Sequence, residues 1–205
     1  MAGLFITLEG GDGSGKSTQS MLLAEWLTSI GHTVVLAREP GGTELGLELR
    51  EIILHRRGYI APRAEALIYA ADRAHNVATV VRPALERGDT VIQDRYIDSS
   101  VAYQGAGRVL DSTEVRSLSE WATGGLRPDL TVLLDLDVET GRARLDAADK
   151  VFDRLEAEKA DFHARVRDGF LAIAASDPER VVCVDAALPA DEIARNIRAR
   201  VETLL

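Results

Sequence analysis

Cysteine is almost absent from this chain, since Cys183 is the only one among 205 residues. A single cysteine excludes an intrachain disulfide and is typical of proteins in a reducing compartment, so we expect a cytoplasmic location. The histidines are also few, and their positions do not follow the spacing of zinc ligands: His32, His55, His75 and His163. We therefore expect no structural metal site.

Excess positive charge and long apolar runs are missing as well. The formal net charge is −9, so no general basic surface would attract nucleic acid, although local basic pockets for phosphates remain compatible with it. No apolar run approaches the length of a membrane-spanning helix, and the N-terminus lacks the pattern of a secretory signal. The length and the 46% hydrophobic fraction instead fit a single globular domain over residues 1–205.

Apolar segments rich in β-branched residues alternate along the chain with segments of helical periodicity. The predicted strands are Leu4–Glu9, Thr33–Arg38, Thr90–Asp94, Thr131–Asp135 and Val181–Val184. The predicted helices are Lys16–Ile30, Leu45–Leu54, Arg63–Arg87, Thr113–Thr123, Glu139–Leu145, Leu155–Ala175 and Asp191–Leu204. This alternation predicts an α/β fold, a five-stranded parallel sheet with helices on both faces, whose ligands bind beyond the carboxyl ends of the strands.

The first strand leads into a motif that binds phosphate. The run Gly10-Gly11-Asp12-Gly13-Ser14-Gly15-Lys16-Ser17 has the spacing of a phosphate-binding loop and lies between a predicted strand and a predicted helix. Its glycines allow successive N–H groups to face a polyphosphate, and the helix N-terminus adds a favourable dipole. Lys16 would reach the β- and γ-phosphates and the Ser17 hydroxyl would hold Mg²⁺, so residues 10–18 are predicted to bind a nucleotide.

Charged residues follow the second and third strands at the same predicted edge of the sheet. Arg38 and Glu39 end the second strand, where a tight connection is the alternative to a functional role. Asp94 at the tip of the third strand is placed to hold Mg²⁺ directly or through water. Arg95 beside it is suited to a bidentate grip on a phosphate, whereas the alternative is a solvated surface pair.

Two further segments have a functional and a structural interpretation. Tyr69 and Arg73 lie one helical turn apart, so the ring and the guanidinium could meet a nucleobase, although an aromatic at this spacing is also typical of a core. The charged stretch at about residues 146–156 could be a lid that brings Arg154 over a transferring phosphate. An exposed connection is the alternative for that stretch.

Taken together, these motifs resemble the bacterial type of thymidylate kinase, in the group of P-loop nucleoside-monophosphate kinases. The matching segments cover most of the chain in the family's order: Glu9–Thr18, Arg38–Thr43, Tyr69–Arg73, Asp94–Tyr96, Ser99–Gly105 and Asp153–Glu156. The resemblance implies ATP-dependent phosphorylation of dTMP to dTDP, toward dTTP, with Mg²⁺ as cofactor. It also implies a homodimer, and it implies ATP and dTMP as the nucleotides bound.

The resemblance also assigns residues to the donor nucleotide. Arg144 would stack on the adenine, and Ser17 with Asp94 would hold the metal ion. The residues implied to bind the ATP phosphates are Gly10, Gly11, Asp12, Gly13, Ser14, Gly15, Lys16, Ser17 and Thr18.

On the acceptor side, the resemblance implies that Tyr69, where the family usually has Phe, stacks on thymine and that Arg73 bonds the base edge. Asp12 would contact the 3′-hydroxyl, and Tyr103 would crowd the 2′ position of the sugar. The remaining residues implied to line this pocket or bind the acceptor phosphate are Arg38, Arg95, Ser100 and Gln104.

The implied catalytic residues are Lys16, Arg95 and a basic residue of the lid. Position 13 of the loop is Gly rather than Arg, so in the bacterial type the additional guanidinium comes from the lid. Arg154 is the candidate for that role, and Lys150 and Arg142 are the alternatives.

Two rival functions remain open at this point. A deoxynucleoside kinase shares the loop, and Glu39 could deprotonate a sugar hydroxyl there. A nucleotide-binding regulatory protein would instead hydrolyse ATP slowly without an acceptor. Arg38 and Arg73 converging on one pocket favour an acceptor that already carries phosphate.

Overall fold

A computed structural model describes residues 3–56, 58–148 and 152–205. Its centre is a parallel sheet of five strands in the order β2-β3-β1-β4-β5. The strands are β1 (Phe5–Gly10), β2 (Val34–Arg38), β3 (Thr90–Asp94), β4 (Leu130–Asp135) and β5 (Val181–Asp185). The predicted α/β fold is confirmed, and each predicted strand differs from the observed one by one residue or less at either end.

Helices connect the strands. They are α1 (Lys16–Ser29), α2 (Glu44–Arg50), α3 (Pro62–Asn76), α4 (Arg82–Glu86), α5 (Ile97–Ser100), α6 (Ser112–Thr123), α7 (Val138–Ala147), α8 (Ala160–Ser176) and α9 (Ala190–Val201). Widened π-helical turns continue three of them, at Glu51–His55, Val77–Val81 and Val101–Gly107, and a 3₁₀ turn at Glu202–Leu204 ends the chain. The long helix predicted over residues 63–87 is therefore α3 and α4 joined by a π-helical turn.

Each face of the sheet has its own apolar core because side chains alternate along a strand. On one face, Phe5 of β1 and Val91 of β3 pack with helices that include α3 and α8. On the other face, Ile6 and Ile92 pack with residues of α1 and α9. The central strand β1 is buried along its whole length, so the loop that follows it starts from a fixed point.

The register of the strands brings the functional loops together. Asp94 at the end of β3 pairs with Leu8 of β1 on one side and with Arg38 of β2 on the other. Because all five strands run parallel, the segments that follow β1, β2 and β3 leave the sheet at one edge. The cleft lies at this edge.

Two helical predictions need correction. The segment 97–107 is helical, although the sequence predicted only a motif there, and its polar and small residues are almost all buried between α6 and α8. The helix predicted from Leu155 begins at Ala160 instead, because Asp153 holds a turn by accepting hydrogen bonds from the backbone N–H groups of Leu155 and Glu156, both 2.9 Å.

Within the described ranges, no helix is long and apolar enough to cross a membrane.

Candidate active site

A cleft of about 360 Å³ opens at the carboxyl edge of the sheet. Its walls come from the loop after β1, the ends of β2 and β3, helix α3 and the helical segment after β3. It brings together most of the residues predicted for the site: Asp12, Gly13, Gly15, Lys16, Ser17, Thr18, Arg38, Tyr69, Arg73, Asp94, Arg95, Ser100, Tyr103 and Gln104.

The phosphate loop depends on glycine at particular positions. Gly13 has φ 77° and Gly15, which caps α1, has φ 90°, a region that other residues rarely adopt. A Cβ at Gly13 would also lie 2.5 Å from the backbone oxygen of Gly141, so any side chain would displace the loop from α7. The Ser14 hydroxyl donates to the Gly11 oxygen at 2.8 Å and so fixes the turn from inside.

Lys16 lies within this loop. Its ammonium donates to the backbone oxygens of Gly10 at 3.1 Å and Gly11 at 2.7 Å. Burial, and after it the nearby Arg95 charge, lowers the pKa of Lys16 to about 8, against the opposing effect of the neighbouring carboxylates. The Lys16 amine is therefore mostly protonated at neutral pH, and its positive charge can bind a phosphate.

Ser17 and Asp94, the two residues predicted to hold a metal ion, are in contact. The Ser17 hydroxyl donates to Asp94 Oδ2 at 3.1 Å, while Asp94 Oδ1 is buried and no donor among the described residues reaches it. An unpartnered buried carboxylate oxygen beside a hydroxyl fits a hard cation such as Mg²⁺. Within the described ranges, no three acidic, histidine or cysteine side chains form a metal cluster.

Arg95 forms the floor of the cleft between the loop and the acceptor side. Its Nη2 bonds Asp12 Oδ1 at 2.5 Å and the Tyr103 hydroxyl at 3.2 Å, and the Tyr103 hydroxyl also donates to Asp12 Oδ2 at 3.0 Å. Burial raises the pKa of Asp12, but the Arg95 and Lys16 charges outweigh that effect and hold it below its usual value. Arg95 has φ 65°, a backbone conformation that costs about 1 kcal/mol for a residue with a side chain.

Glu9 holds that strained turn in place, a role that the sequence did not reveal. Its carboxylate accepts from the Tyr96 N–H at 2.7 Å and from the Ser99 N–H and hydroxyl at 3.2 and 2.5 Å. Burial raises the pKa of Glu9 to about 7. An acidic residue inside an otherwise apolar strand was the available signal, because a buried carboxylate needs partners.

Arg73 is almost fully enclosed, with 1% of its surface exposed. Its Nε bonds Glu39 Oε2 at 2.7 Å, and its two Nη atoms bond the Ser119 hydroxyl, the Tyr96 backbone oxygen and the Ser100 hydroxyl at 3.0 to 3.1 Å. These bonds leave one N–H on Nη1 without a partner among the described residues. The guanidinium is thus a rigid part of the cleft wall.

Glu39, the base considered for a nucleoside kinase, has both oxygens engaged. Oε2 accepts from Arg73 Nε, and Oε1 accepts from the Asn76 amide at 3.0 Å.

Both Arg73 and Tyr69 line the cleft, and Tyr69 is also part of the apolar core. A contact with a ligand and a place in the core are therefore compatible for Tyr69. Arg38 is exposed at the mouth of the cleft, with its Nε on the Gly41 oxygen at 3.2 Å.

The basic residues predicted for the lid do not meet at the phosphate loop. Arg154 Nη2 bonds Glu65 Oε2 at 2.6 Å and its Nε bonds the Ile53 oxygen at 2.8 Å, so the side chain docks on α3. Arg142 instead stacks on the Phe152 ring and bonds the Glu156 oxygen at 3.2 Å. Lys150 lies outside the described residues.

Arg144, predicted to contact adenine, lies close to the phosphate loop. It is exposed on α7, and its Nη1 is 3.4 Å from the backbone oxygen of Gly13.

Comparison with known proteins agrees with this geometry. The sequence model of the family described as thymidylate kinase matches residues 8–197. The chain is 70% identical over 205 residues to the thymidylate kinase of Clavibacter sepedonicus, covering 100% of this chain and 97% of that protein. It is 69% identical to the thymidylate kinase of Leifsonia xyli subsp. xyli, covering 98% and 95%.

A solved structure gives the same result for the fold. The crystal structure of thymidylate kinase from Ehrlichia chaffeensis superposes with a TM-score of 0.79 at 33% identity and covers 100% of both chains. With the phosphate loop, the buried arginine on α3 and the acidic tip of β3 all at one cleft, the chain belongs to the thymidylate kinase family.

Proposed function

We propose that this chain transfers the γ-phosphoryl group of ATP to dTMP and releases ADP and dTDP. A phosphate oxygen of dTMP forms the new bond to the γ-phosphorus, and the bond to the ADP oxygen breaks. The observation that carries the proposal is one continuous cleft with a phosphate loop at one end and Tyr69 and Arg73 at the other. Family membership supports the same reaction.

ATP binds with its phosphates on the loop. The backbone N–H groups from Gly11 to Thr18 and the dipole of α1 bind the phosphate oxygens, and Lys16 neutralises the charge that develops on them. Arg144 packs beside the adenine. Ser17 and Asp94 would hold Mg²⁺, which would supply charge neutralisation to the phosphates when it is bound.

dTMP occupies the other half of the cleft. Tyr69 stacks on the base and the free N–H of Arg73 bonds its edge, while Arg38 and Arg95 bind the phosphate. Asp12 accepts from the 3′-hydroxyl, and Tyr103 occupies the space that a ribose 2′-hydroxyl would need. Ser100 and Gln104 complete the pocket.

Arg154 is proposed as the lid arginine that stabilises the transferring phosphoryl group. Its neighbours Asp153 and Leu155 line the cleft, which supports the proposal, but the side chain itself bonds Glu65. The role therefore requires Arg154 to leave Glu65 when ATP is bound. An arginine that completes the site in this way contributes a large share of the rate in other phosphoryl-transfer enzymes.

We also propose that residues 1–205 act as one domain that pairs into a homodimer. The family model spans nearly the whole length of the chain. Exposed apolar side chains support pairing, among them Leu67 on α3, 57% exposed, and Trp121 on α6, 80% exposed. The cytoplasmic location predicted from the single cysteine stays a prediction.

A panel of acceptors tests the proposed reaction. The protein is assayed with ATP and Mg²⁺ against dTMP, thymidine and no acceptor, with ADP release as the readout. We expect rapid ADP release with dTMP alone. Phosphorylation of thymidine but not dTMP would support a nucleoside kinase, and ADP release independent of acceptor would support an ATPase.

The metal site is tested separately with Asp94→Asn. This variant keeps the hydrogen bond from Ser17 but removes the charge, so we expect the Mg²⁺ concentration for half-maximal activity to rise about tenfold or more. An unchanged Mg²⁺ dependence would contradict the assignment of Asp94.

A further inference from the structure

Glu65 is a buried carboxylate that none of the proposed site roles uses. It lies on α3 one turn before Tyr69 and has no exposed surface. A carboxylate in such a position requires partners that compensate for its loss of water.

Three side chains supply those partners. Gln104 Nε2 and Arg108 Nε donate to Oε1 at 2.9 and 3.2 Å, and Arg154 Nη2 donates to Oε2 at 2.6 Å. Burial raises the pKa of Glu65, but the hydrogen bonds from Gln104, Arg108 and Arg154 outweigh it and hold the pKa below its usual value. The carboxylate is therefore ionised at neutral pH, and Arg108 would stay beside it during the movement of Arg154 proposed above.

An ionised carboxylate decides which way the amide of Gln104 faces. It has no hydrogen to donate, so only the NH₂ end of Gln104 can bond it. The amide oxygen then accepts no hydrogen bond from any donor in the described part of the chain. Since Gln104 lines the cleft, the group that it offers to a ligand is a hydrogen-bond acceptor.

This acceptor lies at the base end of the cleft. Gln104 follows Ser100 by one helical turn, and Ser100 accepts from Arg73. Thymine carries an N–H donor at N3, between its two carbonyl groups. Cytosine has a lone pair at the same position, so an oxygen fixed there bonds one base and repels the other.

We propose that Glu65 is a positioning residue for base specificity, which holds the NH₂ of Gln104 and thereby fixes its oxygen toward the N3–H of a pyrimidine. This inference rests on the proposed function and deepens it. Without the charge, the amide of Gln104 can turn over, and the pocket loses part of its discrimination between dTMP and dCMP.

The experiment measures dissociation constants for dTMP, dCMP and ATP by calorimetry, with the melting temperature as a second readout. Glu65→Gln keeps the shape but offers both a donor and an acceptor to Gln104. Gln104→Met removes the amide, and the variant that carries both substitutions completes a double-mutant cycle. Glu114→Gln is the matched control, because Glu114 pairs with Arg63 on the surface at 3.5 Å.

We expect Glu65→Gln to reduce the preference for dTMP over dCMP about tenfold. ATP affinity should not fall, because the variant only weakens the bond that keeps Arg154 away from the phosphates. Gln104→Met should give a similar loss, and the double variant should lose no more than either single variant. The control should behave as the wild type.

The proposal is overturned if Glu65→Gln changes the melting temperature but keeps the wild-type preference for dTMP over dCMP. It is also overturned if the losses of preference in the two single variants are fully additive in the double variant. Should Glu65→Gln not fold, side-chain amide NMR of the wild type decides. The NH₂ signals of Gln104 should then stay in place as dTMP is added, and a new hydrogen bond from that NH₂ to the nucleotide would overturn the proposal. If the wild type does not bind dTMP, the proposed function itself fails.

Discussion

The phosphate loop and the base pocket hold their polar groups by different means. The loop is contiguous in sequence, and its shape comes from glycine backbone and from bonds that close within residues 10–16. The base pocket collects buried polar groups from distant segments, with Glu39 after β2, Arg73 on α3 and Gln104 after α5. A change in the loop should therefore affect chemistry more than stability, whereas a change in the base pocket should affect stability and specificity together.

The largest effect is expected when the buried pair of the base pocket is broken. Arg73→Ala leaves the Glu39 carboxylate buried without its main partner, so the free energy of unfolding should fall by about 3–5 kcal/mol. Binding of dTMP should weaken as well, while ATP affinity stays near the wild-type value. Denaturant unfolding and calorimetry measure the two effects.

A double variant separates the effect on stability from the effect on dTMP binding. Arg73→Met with Glu39→Leu replaces both charges with apolar groups and should recover most of the lost stability without recovering dTMP binding. If Arg73→Ala were as stable as the wild type, the base pocket would not depend on this pair.

A substitution in the phosphate loop should lower the rate and leave stability nearly unchanged. Lys16→Ala removes the charge that meets the transferring phosphate, so kcat should fall about 10²–10³-fold. The free energy of unfolding should change by less than about 1 kcal/mol, because the Gly10 oxygen still accepts from Arg95 Nη1 at 3.2 Å and the variant removes an ammonium that is costly to bury. Steady-state kinetics and unfolding are compared with Arg195→Ala, a matched loss of an exposed cation on α9. Turnover at the wild-type level would refute the role of Lys16.

Glu9 lies between the two regions and makes stability depend on pH. Its folded pKa of about 7 is above its ordinary value of 4.5, so its contribution is fully present below about pH 4.5 and is lost as the pH rises through about 7. The stability of the wild type relative to Glu9→Gln should therefore fall by up to about 3 kcal/mol over that range. Unfolding at several pH values measures this difference, and a flat difference would mean that Glu9 is not desolvated.

The smallest effect is expected at the exposed rim of the loop. Arg144→Ala should raise KM for ATP about two- to fivefold, the contribution of an exposed cation beside a ring. KM for dTMP should not change. Arg127→Ala, which removes another exposed arginine, is the control. A larger effect on dTMP than on ATP would place Arg144 on the acceptor side.

Much of the donor side was predictable because its signals are local. The loop from Gly10 to Ser17 is contiguous, and strands and helices follow from periods of two and 3.6 residues. The sequence also placed Tyr69 and Arg73 on one face of a helix, since one helical turn separates them, and both line the cleft. The pairing of Arg73 with Glu39 was not, because 34 residues separate the two positions.

The lid shows the same limit. The sequence predicted Arg154 over the phosphates, whereas the side chain bonds Glu65, 89 residues away along the chain. The helical segment at 97–107 was missed because most of its residues are polar or small, and only packing between α6 and α8 makes burial of them favourable.

The sequence by itself determined the parallel sheet, the phosphate loop and the family to which the chain belongs, because periodicity and glycine spacing act over a few residues. Only the tertiary structure decided which carboxylate each buried arginine meets, and which side chain the NH₂ group of Gln104 bonds. Those outcomes depend on the need to compensate buried charges, and the partners come from segments that the chain brings together only when it folds.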